Sequence, residues 1–77
     1  MSEKEIYETI KSQLVYYDRA KIYKNKYDYF IDLTMSCDRQ EAIDQCTYFI
    51  NDAIEHWDIF GILAAYDLRE YLKKQSR

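Results

Sequence analysis

Proline is absent from this chain, and glycine occurs once, at Gly61. All-β folds rely on glycine-dependent tight turns, so the scarcity weighs against strands and favours helices, which need less punctuation. Histidine also occurs once, and the chain has no glycine-rich phosphate loop, no G-x-S-x-G and no C-x-x-C pair. Nucleophilic, acid–base and zinc chemistry are thereby left without their usual residue sets. We expect no enzymatic activity and no cofactor.

The two cysteines, Cys37 and Cys46, are too few for a disulfide scaffold. The longest apolar run, Ile59 to Tyr66, is eight residues and too short for a bilayer. The amino-terminal residues do not join a basic segment to an apolar stretch. A reducing cytoplasm is therefore the expected location, with both cysteines as small core thiols. Membrane association is not expected.

What is abundant is aromatic and acidic. The 77 residues suit one domain, 1–77, and such short chains have thin stability margins. Here 48% of residues are apolar and 17% aromatic, so large side chains can offset the short length. The net charge of −3 is unevenly spread: residues 16–27 sum to +3, whereas residues 28–58 sum to −7, with Arg39 the sole base among them. Such asymmetry bears on partners rather than on fold.

Local patterns predict an all-α fold, a compact bundle of three or four helices. Ser2 and Glu5 form a capping box before Ile6, Ile10, Leu14 and Tyr17, which follow helical spacing. This first helix is predicted to end near Asn25. Asp38 and Glu41 repeat the box ahead of Ile43, Cys46, Ile50, Ala53 and Trp57, a core-facing stripe that Phe49 and Ile54 broaden. Asp58 can cap a last helix, with Lys73, Lys74 and Arg77 at its carboxyl end. Segments 38–57 and 58–75 should pair as an antiparallel hairpin. Residues 27–37 fit both a helical face and strand alternation, so an α+β fold with a small hairpin at about 14–35 is the alternative. The apolar breadth of Ile62, Leu63, Ala64, Ala65 and Tyr66 exceeds what one small core needs, and suggests a self-association face, hence a homo-oligomer.

Three surfaces compete for function. On the Asp38 helix, Glu41, Asp44, Tyr48, Asp52 and Glu55 recur at steps of three or four and share one face. Carboxylates steer encounter and tyrosine anchors interfaces, so this face suits a basic partner protein, including one that itself binds nucleic acid. An inert helix face usually mixes both signs, and this one does not. The second surface is YYDRAKIYKNKYDYF, residues 16–30. There Arg19, Tyr23, Lys24 and Tyr27 could hold an anionic nucleotide, tyrosine on the base and cations on phosphate. Simple amphipathic packing of the tyrosines is the rival explanation. Direct nucleic-acid binding is not expected, because few cations are present and the acidic stretch follows at once. A helix-turn-helix reader is disfavoured by the acidity of the Asp38 helix. Third, Cys37, Cys46 and His56 match no zinc spacing. Asp52 and His56, four apart, make at most half a metal site, and we expect no metal.

Brevity, the tyrosine-rich residues 16–30, the acidic EAIDQCTYFINDAIEHWD and the lack of catalytic motifs together give a profile. In that profile the chain resembles small bacteriophage-encoded proteins that bind and inhibit a host enzyme or defence complex. The resemblance implies a non-catalytic inhibitor or adaptor and carries no functional residues with it.

Overall fold

The computed structural model describes residues 1–75. Four α-helices follow one another: α1 (Glu3–Gln13), α2 (Lys21–Thr34), α3 (Arg39–Glu55) and α4 (Ile59–Lys74), with a 3-10 turn at Tyr17–Arg19. No strand occurs among the described residues, so residues 27–34 are helical and the α+β alternative is excluded. Arg77 lies outside the described residues.

Both capping boxes form. Glu5 N donates to Ser2 Oγ at 3.1 Å while Ser2 N donates to Glu5 Oε1 at 2.9 Å. At α3, Glu41 N donates to Asp38 Oδ1 at 2.8 Å and Asp38 N to Glu41 Oε1 at 3.0 Å. Each box satisfies two amides that the first turn of a helix leaves open. Asp58 caps α4 through Gly61 N at 3.1 Å, and its other carboxylate oxygen meets Lys26 Nζ at 2.7 Å. Glycine at 61 makes room for that arrangement, since a Cβ there would stand 2.6 Å from Asp58 Oδ2.

The first helix ends well before the predicted Asn25, which lies inside α2. After Leu14 the chain turns through Tyr16, whose φ of 65° is left-handed, and Ala20 starts α2 without any side-chain cap. The β-branched and aromatic run Val15-Tyr16-Tyr17 holds a helix poorly, and leaving the helix lets Tyr17 point inward.

The hairpin of α3 and α4 forms as expected, and α4 is the central helix of the bundle, packed by α3, α2 and α1. Ile62, Leu63, Ala64 and Ala65 have no exposure and Tyr66 only 9%. The expected self-association face on these residues is therefore corrected: their breadth is consumed by the chain's own helices, because a helix apolar all round sits in the middle. Cys46, Ile50, Ile62 and Leu63 form the innermost layer. Burial pushes the Cys46 thiol up to about 11, so it behaves as an inert core group, whereas Cys37 is only half-buried.

Two polar side chains on α4 tie the elements together. The Asp67 carboxylate accepts from the Tyr7 hydroxyl of α1, from Tyr17 at 2.7 Å and from Tyr23 of α2 at 2.8 Å. The Tyr7 ring also stacks on Tyr66, centroids 4.0 Å apart. Arg69, 8% exposed, donates to Glu3 Oε1 and to Thr47 Oγ1, each at 2.8 Å, joining α1 and α3 across α4. Of the five tyrosines in residues 16–30, then, Tyr17, Tyr23 and Tyr27 turn inward, while Tyr16 and Tyr29 stay exposed.

Candidate docking surface on helix α3

The capping box sets the start of α3 and its Cys46, Ile50 and Ala53 edge sets which way it faces. The opposite edge carries Glu41, Asp44, Tyr48, Asp52 and Glu55, all exposed, Tyr48 by 64%. From Glu41 to Glu55 the face runs about 21 Å at the helical rise, most of the molecule's longest extent of 33 Å.

None of these four carboxylates forms an ion pair with Lys or Arg among the described residues. Four of the chain's cations are engaged elsewhere. Lys26 holds Asp58, Arg69 holds Glu3 and Lys73 faces Glu70. Arg39 turns to α4, donating from Nε to the Leu72 carbonyl at 3.0 Å. Among the described residues the Asp44 side chain accepts only from Gln40, at 3.1 Å.

The placement also opposes helix electrostatics. An acid in the first turn, such as Glu41, suits the helix dipole, but Asp52 and Glu55 stand in the last turn, which holds no base. Each carboxylate there costs about 0.3–1 kcal/mol at a surface position. Glu55 and Asp52 are also like charges three apart, a spacing that adds repulsion. His56, at the carboxyl cap, is held above its ordinary pKa, first by the Asp52 carbonyl 2.9 Å from its Nδ1 and then by the Asp52 carboxylate at 3.5 Å. Asp52, Glu55 and His56 bring ligand-type atoms within 4.8 Å of one another, all exposed to solvent.

Apolar groups border the acids. Tyr48, Phe49, Phe30 and Tyr29 form a row of neighbouring rings from α3 to α2, with Phe30 and Phe49 stacked at 4.8 Å and Tyr29 57% exposed. Trp57 was expected in the core stripe and is instead 61% exposed. The reason is that α3 ends at Glu55, so the four-residue step from Ala53 no longer follows a helix. Neither the aromatic row nor the exposure of Trp57 was predicted from the sequence, since each depends on where α2 and the α3–α4 corner come to lie.

The second candidate surface is dispersed. Tyr23 spends its hydroxyl on Asp67, and Arg19 stacks on Tyr16, its guanidinium 4.6 Å from the ring centroid. A depression of about 250 Å³ gathers Tyr23, Lys24 and Tyr27, but Asp28 and Asp67 line it too and Arg19 does not. Two carboxylates beside one lysine oppose a phosphate.

No helix among the described residues is long and apolar enough to cross a membrane. Against family models, curated proteins and solved structures, the chain finds no match.

Proposed function

We propose that this chain is a non-catalytic binding protein, an inhibitor or adaptor of the bacteriophage type, that docks a basic partner protein on the outer face of α3. The observation that carries the reading is the set of Glu41, Asp44, Asp52 and Glu55 around Tyr48, all exposed and without a Lys or Arg ion-pair partner among the described residues. Solubility alone does not call for acids at the negative end of a helix, and a cationic partner would relieve both the dipole and the mutual repulsion. A basic protein that itself binds nucleic acid fits this charge pattern. Charges of this kind speed encounter and make it sensitive to salt, while Tyr48 supplies contact area.

The test is the double charge reversal D44K/D52K, measured against the partner recovered from the source cell. Affinity should fall at least about tenfold, near 1.4 kcal/mol, with slower association. Thermal stability should not fall, because a cation at position 52 suits the helix end. Equal affinity of the variant and the parent would remove the acidic face from the binding site.

A further inference from the structure

The acidic face and the aromatic row meet in one depression. Between α2 and α3 lies a hollow of about 330 Å³, lined by Tyr29, Phe30, Phe49, Asp52 and Ala53. Phe30 and Ala53 are buried, and Phe30 stacks on Phe49 at 4.8 Å, so those two rings cover one another. Tyr29, 57% exposed, stays open to solvent. Two of the other charges in the hollow cancel. Lys26 and Asp58 also line it, their side chains paired at 2.7 Å, and the second Asp58 oxygen caps α4 through Gly61 N. Asp52 is left over. Among the described residues its side chain has no Lys or Arg partner, and the exposed ring of His56 stands 3.5 Å away.

We infer that this hollow receives an arginine side chain of the basic partner, its guanidinium forked onto the Asp52 carboxylate and lying against the Tyr29 ring. The lining selects that occupant. A guanidinium is flat, offers paired N–H groups to a carboxylate and stacks on aromatic faces. It is also more weakly hydrated than an ammonium, so it loses less on entering a ring-lined site. A lysine would reach Asp52 but has no planar fork to present. An apolar insert would cover the carboxylate without pairing it, and a phosphate or carboxylate would meet a like charge. The inference rests on the acidic-face reading and names the side chain that the face selects. Glu41, Asp44 and Glu55 attract a basic surface, and the hollow picks arginine from it.

The probes are two short blocked peptides, one with a single arginine among lysines and a twin in which that arginine is lysine. Their charges are equal, so long-range attraction is the same for both and the hollow alone tells them apart. NMR titrations at about pH 8.5, above the histidine range, leave His56 without a proton to compete for Asp52. The arginine peptide should bind at least about threefold more tightly than its twin, with its arginine side-chain protons shifted upfield by the Tyr29 ring. Tyr29→Ala should erase that preference and leave the lysine peptide's affinity close to the parent's. Alanine is the best helix former, so α2 persists in this variant. Asp52→Asn should erase the preference too, and weaken both peptides. Equal affinity of the parent for the two peptides, a preference that survives Y29A, or binding of neither peptide overturns the inference. Asp44 lies outside the hollow and separates the two readings. Asp44→Lys should weaken both peptides alike and keep their ratio. If the parent shows no preference while D44K weakens both, the hollow fails and the acidic face stands. If the preference holds while D44K changes neither affinity, the acidic-face reading falls and the hollow stands as an arginine site.

Discussion

Replacing Asp67 by alanine should lower the folding stability by about 3–4 kcal/mol, most of what so small a domain holds. The carboxylate accepts three tyrosine hydroxyls from three separate segments, α1, the 3-10 turn and α2. Alanine removes the shared acceptor; the Tyr7 and Tyr17 hydroxyls, 3.2 Å apart, keep only each other, Tyr23 is left unpaired, and each buried unpaired donor costs about 1–3 kcal/mol. Tyr7 and Tyr23 are 6% and 8% exposed, so water replaces the lost acceptor poorly there, whereas half-buried Tyr17 recovers part of its loss. The melting temperature should drop by roughly 15–25 °C. Denaturant unfolding of the variant beside the parent checks this, and a drop of only a few degrees would mean that apolar packing alone orients α1 and α2.

The same cluster predicts a steep loss of stability in alkali. Burial first, and then the bond to Asp67, holds the Tyr7 and Tyr23 hydroxyls far above the ordinary tyrosine pKa; burial likewise raises Tyr17. In the unfolded chain all three titrate near 10. Below that pH both states keep these protons and the stabilisation is complete. Above it the unfolded state sheds protons that the folded state retains, so stability falls as pH rises. Each such proton contributes about 1.4 kcal/mol per pH unit, so three give roughly 4 kcal/mol per unit. Melts followed by circular dichroism between about pH 9 and pH 11 should show cooperative unfolding within about one unit above pH 10. A melting temperature that stays flat across that window would place the three hydroxyls in water.

Local signals made much of this fold readable in the sequence. Ser2 with Glu5, Asp38 with Glu41, and Asp58 each mark a helix start by residues three apart or less, and all three caps form. The exposed acidic face was legible for the same reason, since helical spacing alone places Glu41, Asp44, Tyr48, Asp52 and Glu55 together. The break between α1 and α2 was not legible, because Ala20 offers no cap and the turn is made by Tyr16 rather than by glycine. The Asp67 cluster joins residues 44 to 60 positions apart, beyond any local pattern. Its only hint was one carboxylate four residues beyond Leu63, in a chain with nine tyrosines. Trp57 was misplaced because periodicity was carried past the end of α3. The apolar breadth of Ile62 to Tyr66 was read as a contact between copies, when it marks a helix enclosed by its neighbours.

The most direct measurement on the proposed role is an amide NMR titration of the isotopically labelled chain with the purified basic partner. The largest shifts and broadening should fall along the outer face of α3, at Asp44, Tyr48, Asp52 and Glu55, and should weaken as salt is added. Perturbation centred instead on Arg19, Tyr23, Lys24 and Tyr27, or leaving α3 silent, would contradict the account.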